Sequence, residues 1–398
     1  VVPLFVLGHF SHHVLTSITT PLLPFIRNDF NLDYTQTGVV SSAFMLAYGL
    51  GHLPAGWLAD RCEPRTLMTV GISGVALAGI LISFSQSYQI LVMILILMGL
   101  LAGGYHPSAP PLISGAVPRE HLGRALGFHN IGGGASHLVT PLLAVSIAQA
   151  WGWPSSFLFL AVPTLFFGLL FYLLVGITTP GGKERRHADL RDDQHPLGRR
   201  ERLRHLTVFL LLITITGAII NSGITFLPLL FVDHFGLGKT LAALLLSLLY
   251  LAVFWAGPLG GNLADRKGSI QMALLFTLGM GPVIFFLPQA PGIPALVVML
   301  LILGALVFSR MSAAEAYIIQ TAPPDTRATV LGIYFFGGME GGAVATPLLG
   351  YVIDHYGFGI AYGLAGLVAL VATAVLGYWL RKHQPPTTGA RRRTYEDK

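Results

Sequence analysis

Apolar runs of about 20 residues recur along this 398-residue chain, and nearly all of the charged residues fall in the gaps between them. The stretch from Leu206 to Ile220 holds no charge, and Leu91 to Leu101 reads the same way. Wound as a helix, such a run crosses a hydrocarbon core about 30 Å thick. A helical protein folded in water would instead carry a polar stripe on each helix at a period of about 3.6 residues, and these runs carry none. Charged residues make up 11% of the chain, against about a quarter in soluble domains, too few to coat a water-facing surface. The chain is read as an all-α membrane protein.

Twelve transmembrane helices are expected, at 2–26, 36–58, 66–86, 88–113, 125–150, 155–177, 206–231, 239–262, 270–290, 293–319, 329–354 and 357–381. Lys and Arg of short loops stay on the cytoplasmic side. This placement puts all but three of the 24 Lys and Arg residues on one side; Arg27 and Lys239 fall opposite, and Arg310 lies within a span. Both termini are therefore expected in the cytoplasm, with the protein in the cytoplasmic (inner) membrane of a prokaryote. The net charge of +6 is a consequence of that bias, and no nucleic-acid partner is expected. Cys62 is the single cysteine, which excludes an intrachain disulfide framework. The first span runs into a second without a small-residue cleavage site, so no cleavable leader is expected.

The longest polar stretch in the interior, Thr178 to His205, reads as a solvated cytoplasmic linker. On either side the sequence is written twice. Pro24 and Asp29 correspond to Pro228 and Asp233, Asp60 to Asp265, Gly127 and Gly133 to Gly332 and Gly338, and TPLLA at Thr140 to TPLLG at Thr346. The turn GWLADR, Gly56 to Arg61, returns as GNLADR, Gly261 to Arg266. The expected organisation is an N-terminal six-helix bundle at 1–177, the linker at 178–205, a pseudo-symmetric C-terminal six-helix bundle at 206–381 and a cytoplasmic tail at 382–398. Parallel repeats of this kind place a substrate site between the halves, and rocking of one half against the other alternates access.

On these residues the chain resembles the major facilitator superfamily over essentially its whole length. The resemblance rests on Gly56, Asp60, Arg61 and Arg65 in GWLADRCEPR, echoed by Gly261, Asp265, Arg266 and Lys267. Gly lets two helices approach closely, and Asp can cap a helix N-terminus and pair with Arg. The resemblance implies that Gly56, Asp60, Arg61, Arg65, Asp265 and Arg266 are gating residues that latch the cytoplasmic face when the cavity opens outward, and it implies a monomer. Within the superfamily the chain is most similar to fosmidomycin-resistance-like and drug exporters, through GHF at Gly8, LDYTQTGVVSSAF entering the second span, GGYHPSA in the fourth and ALGFHNIGGGASHLVTPLL in the fifth. It departs from drug/proton antiporters in having no Arg in span 4 and in carrying Thr140-Pro141 where they carry a Gly-Pro pair.

An ionisable side chain inside the bilayer costs several kcal/mol and is a candidate for function. The first half offers His9, His12, His13, His52, His106, His129 and His137; the second offers Arg310, Glu315 and Glu340. Arg310 presents a fork suited to carboxylate or phosphonate, as an anion-binding residue, or else closes an internal ion pair. Glu315, five residues on, points about 140° away, which leaves Glu340 as the better partner. Glu340, set among glycines in GGMEGG, is a proton-carrier candidate, with Glu315, His9 and His137 as further proton-coupling candidates. His9, His12 and His13 share a helix face, and His106 could complete a set for a transition metal. The same histidines could equally serve protons, substrate or packing. His106, followed by Pro107, together with Tyr105, His13 and the pseudo-symmetric pair Thr16 and Asn221, makes up the remaining substrate-binding candidates. Phe128, Tyr334, Phe335 and Trp255 are candidate walls.

The expected function is secondary active transport of a small organic solute, anionic or amphiphilic in preference to cationic, coupled to protons and of the efflux type if the exporter resemblance extends to direction. The expected partners are that solute, protons and the bilayer. No cofactor or metal is assigned and no enzymatic activity is expected, since neither a phosphate loop nor a nucleophile-base pair occurs at motif spacing. The alternative is a transition-metal or metal-chelate transporter using the membrane-embedded histidines.

Overall fold

A computed structural model describes residues 2–59, 63–117, 122–178, 198–323 and 327–383. The described residues contain helices and no strand. In chain order they are α1 (Val2–Thr16), α2 (Thr19–Phe30), α3 (Tyr34–Ala59), α4 (Pro64–Ile82), α5 (Tyr88–Ala102), α6 (Tyr105–Ala116), α7 (Leu122–Trp151) and α8 (Trp153–Thr178) in the first half. The second half holds α9 (Arg199–Leu229), α10 (Lys239–Leu251), α11 (Val253–Lys267), α12 (Ser269–Phe286), α13 (Ile293–Thr321) and α14 (Arg327–Lys382). Nine helical stretches among the described residues are long and apolar enough to cross a membrane.

Several expected spans are bent, and each bend has a local cause. The chain turns between α1 and α2 at Ser17, whose hydroxyl donates to the His13 carbonyl at 2.7 Å, while Pro21 lacks the N–H that would continue the ladder. Gly103 and Gly104 separate α5 from α6, and Pro107 falls in the first turn of α6, where a missing N–H is tolerated. Helix α14 covers the expected spans 329–354 and 357–381, with Gly357 at φ 77° between them, a conformation that favours glycine. Helix α9 starts at Arg199, inside the segment read as linker: Glu201 in its first turn suits the positive helix end.

Close packing of the first half depends on glycine. A side chain on Gly99 would meet Ala47 Cβ and the Tyr48 nitrogen at 2.8 Å, and one on Gly103 would meet the backbone of Gly51 and His52. Backbone cannot yield as a side-chain tip can, so α3 and α5 approach only because these positions are bare. Gly103→Ala is expected to lower stability by about 1–3 kcal/mol, the usual cost of overpacking. Thermal unfolding of the purified variant measures it, and an unchanged midpoint would contradict this packing.

The buried core shows how the halves meet. At one end of the molecule a single cluster joins Leu22, Leu23 and Ile26 of the first half to Phe226, Leu227 and Phe231 of the second. At the other end the halves have separate clusters, one around Phe5, Met68 and Phe171 and one around Phe209, Ala273 and Ile318. The two ends are called the joined face and the split face below. Outward-pointing apolar side chains such as Phe84 and Phe166, 70% and 71% exposed, sit on the perimeter, as a bilayer requires.

Candidate functional site

Between the halves lies a cavity of about 310 Å³, within the range of small-molecule sites. Helix α1 and the turn after it contribute Thr16 and Ser17, α2 contributes Thr19 and Thr20, and α3 contributes Ser41. The second half supplies Asn221 and Thr225. Phe44, Tyr250 and Phe308 form aromatic walls. The lining carries hydroxyl and amide groups but no carboxylate, Lys or Arg. Thr16 and Asn221, paired from the sequence repeat, thus line one cavity, and His137 joins them.

Arg310 stands beside this cavity rather than on its wall. Val307 and Phe308 line the cavity, and Arg310 follows one turn from Val307 on the same face of α13. Its guanidinium lies near Gly217 of α9, one turn from Asn221. Arg310 is 8% exposed, and its Nε and Nη1 are buried without a hydrogen-bond partner. Among the described residues it makes no ion pair with a carboxylate. Of the two readings of Arg310, the ion pair with Glu340 is therefore not formed among the described residues. Gly337 and Gly341 face Thr214 and Ala218 of α9, and the helical phase between them turns Glu340 toward Gly49 of α3, where a side chain at position 49 would collide with its Oε1. That Oε1 is itself buried without a hydrogen-bond partner.

The first-half histidines form one connected cluster beside the cavity. His9 Nδ1 donates to the His129 carbonyl at 2.8 Å and His129 Nδ1 to the Phe5 carbonyl at 3.1 Å. His12 engages both nitrogens, the Gly71 carbonyl at 3.3 Å and the Tyr48 hydroxyl at 3.1 Å. His13 Nδ1 meets Thr16 Oγ1 at 3.0 Å, and His137 Nδ1 the Gly133 carbonyl at 2.9 Å. His52 Nδ1 bonds the Tyr48 carbonyl at 2.7 Å. Gly132 and Gly133 make the room: a side chain on Gly133 would come within 2.7 Å of the His9 ring. Tyr105, expected at the substrate, is fully buried and stacks on His12 at 4.4 Å between ring centres, so it packs the cluster and does not reach the cavity. His13 and His106 also stand one layer behind the cavity wall. Phe128, Trp255 and Phe335 are about half exposed and do not line the cavity.

On the joined face the halves are tied by polar contacts that the sequence reading missed. Asp354 at the α14 bend accepts the backbone N–H of Tyr34 at 2.8 Å and of Thr35 at 2.9 Å, and the Thr35 hydroxyl at 2.6 Å. One half thereby caps the first helical turn of α3 in the other. Asp233 accepts from the Tyr34 hydroxyl at 2.9 Å and pairs with Arg27 at 3.3 Å. Lys239 lies over the Phe25 ring at 3.9 Å. The two basic residues placed opposite to all the others by sequence, Arg27 and Lys239, are both used in holding the halves together. Burial, then the Asp233 carboxylate, raise the Tyr34 phenol above its ordinary 10.0. A raised value means the contact is complete below pH 10 and weakens only as pH climbs past the folded-state value. The effect of Tyr34→Phe on closure, read from inter-half distances, is therefore expected to stay constant between about pH 6 and 9.

The described residues in and around the repeated turns make no pair across the halves. Arg65 pairs with Glu63 at 3.3 Å and lies over the Tyr172 ring at 4.2 Å, both within its own half. Among the described residues, neither Asp265 nor Arg266 forms an ion pair. Gly56 lies near the end of α3, and Asp60 and Arg61 fall outside the described residues.

A model of the family described as Major Facilitator Superfamily matches residues 5–309 and 209–396. The chain belongs to the major facilitator superfamily. As a superfamily member it is a multi-pass membrane transporter rather than an enzyme. It is 26% identical to "Probable sulfoacetate transporter SauU" of Cupriavidus necator, over 88% of this chain and 87% of that protein. It is 22% identical to the fosmidomycin resistance protein of Escherichia coli, over 92% of this chain and 89% of that protein. The fold matches a solved transporter of the POT family with a TM-score of 0.80 at 14% identity, covering 95% of both chains.

Proposed function

We propose that this superfamily member is a secondary transporter of a small organic anion, with Arg310 receiving the anionic group and the adjoining cavity holding the remainder of the solute. The observation that carries the reading is the buried guanidinium, unpaired at Nε and Nη1 and free of any carboxylate ion pair among the described residues. A charge buried in this way is stable only with a counter-charge, and a substrate carboxylate, sulfonate or phosphonate supplies one. The relative named for sulfoacetate supports this class, and the fosmidomycin-resistance relative supports an export direction. No relative reported above is named for a metal, so metal as cargo gains no support.

The reading includes twelve spans in two six-helix bundles, 1–177 and 206–381, a linker at 178–205 and a tail at 382–398, in a prokaryotic inner membrane with both termini cytoplasmic, acting as a monomer. In that orientation the joined face is the outer one and the described conformation is sealed there. The solute is held by Arg310, Thr16 and Asn221, with His13, His106 and Tyr105 supporting from behind. Gating falls to Gly56, Asp60, Arg61, Arg65, Asp265 and Arg266; among the described residues Arg65 pairs within its own half and Asp265 and Arg266 form no ion pair. Proton coupling falls to Glu340, whose unpartnered Oε1 lies where the halves touch, with Glu315 and His137 as further members.

A thermal-shift screen of purified protein against sulfonates, carboxylates and phosphonates tests the substrate class, because a ligand that binds only the folded state raises its stability. Stabilisation by cations or neutral drugs alone would overturn it. Glu340→Gln is expected to abolish acceleration of uptake or efflux by an imposed proton gradient in proteoliposomes while leaving anion exchange intact. Gradient-driven transport at the unmodified rate would remove Glu340 from that role.

A further inference from the structure

We propose that His9, His13 and His106 form a resident transition-metal site in the first half, separate from the anion position at Arg310. A ring nitrogen from each lies within 4.8 Å of the others. The ring centres stand 4.7 Å apart for His9 and His13, 5.5 Å for His9 and His106, and 5.3 Å for His13 and His106. A tetrahedral ion held at about 2.0–2.1 Å from three imidazole nitrogens places the ring centres about 5 Å apart. The rings therefore already stand at the separation a metal demands, and rotation about the side-chain bonds brings the nitrogens inward.

Hydrogen bonding excludes His12 from the set, and ring orientation sets His129 apart from the converging rings. His9 donates Nδ1–H to the His129 carbonyl, which fixes the tautomer and leaves Nε2 with its lone pair, the arrangement typical of a ligating histidine. His13 Nδ1 meets the Thr16 hydroxyl at 3.0 Å, a contact that orients the ring through Nδ1. His12 has both nitrogens engaged and is excluded. The three rings are tilted to one another by 54°, 84° and 44°, whereas His9 and His129 stack at 13° as packing partners do. An all-imidazole set suits zinc, copper, nickel or cobalt and not calcium or magnesium. Three protein ligands leave a fourth position. His137 stands 5.0 Å from His13 and lines the cavity, so water or an anion from the cavity can reach that position.

The test uses the full chain, purified without a polyhistidine tag, stripped with chelator and titrated with Co²⁺ as the probe. One equivalent is expected to bind with the intense visible absorption of a tetrahedral ion. His13→Gln and His106→Gln are each expected to weaken binding at least tenfold, and His234→Ala, remote from the site, to leave it unchanged. Equal binding by the His9→Gln, His13→Gln, His106→Gln triple variant, or none by the unmodified chain, overturns the proposal. X-ray absorption of the Co²⁺-loaded unmodified chain decides the case even if the variants fail to fold. Three imidazole nitrogens at about 2.0 Å support the site, and a six-coordinate shell dominated by water identifies adventitious binding and overturns it.

Discussion

Arg310→Ala is expected to remove anion-dependent stabilisation and to cut anion transport by at least tenfold. A hydrogen bond to a charged group contributes about 1.5–3 kcal/mol, which corresponds to about 10- to 150-fold in affinity, and Nε and Nη1 both lack any other partner. Arg310→Lys is expected to recover only part of the loss, because an ammonium on a flexible stem does not reproduce two parallel N–H groups. The unliganded variant is expected to be no less stable than the unmodified chain, since it loses an uncompensated buried charge and no ion pair. Thermal shift with and without the anion separates the two effects. If the variant is instead destabilised without ligand and keeps its affinity for the anion, Arg310 is structural.

Asp354→Ala is expected to open the joined face and shift the population toward the opposite conformation by about 5- to 150-fold, the range given by a coupling of about 1–3 kcal/mol. Asp354 accepts three hydrogen bonds from the start of α3, and two of them are backbone donors that are left bare when it is removed. Asp233→Asn is expected to act more weakly. Its ion pair with Arg27 is about a quarter exposed on each side, and such pairs contribute about 0–1 kcal/mol. Spin labels on Asn31→Cys and Tyr356→Cys, in a Cys62→Ser background, report the separation across this face. A distance distribution unchanged by Asp354→Ala would mean that the shared apolar core alone holds the halves together.

The helices were legible because the bilayer imposes a length and a polarity that no local preference overrides, and the interior histidines, Arg310 and Glu340 stood out for the same reason. The pairing of Thr16 with Asn221 was legible through the repeat. The surroundings of Arg310 were not: Glu340 was the better ion-pair partner only because Glu315 points away, whereas the outcome turned on the phase of span 11, with Gly337 and Gly341 taking the side toward α9. Asp354 was missed because an acid at the end of an apolar run looks like an ordinary loop charge until the turn it caps is seen. The one available signal was that Arg27 and Lys239 lie against the general charge bias.

The sequence by itself determined a polytopic helical transporter whose motifs recur along the chain, because hydrophobic length and internal repetition are properties of the chain that survive any packing. Only the tertiary structure decided that the seven first-half histidines are one connected group, that three of them converge while His12 is consumed by hydrogen bonds, and that, among the described residues, Arg310 has no carboxylate partner and the adjoining cavity no Lys, Arg or carboxylate. Those outcomes depend on rotation about helix axes and on glycines such as Gly133 and Gly49 that admit a neighbouring side chain. A turn of about 100° per residue separates a ligand from a packing group, and a linear pattern does not record which neighbour each face will meet.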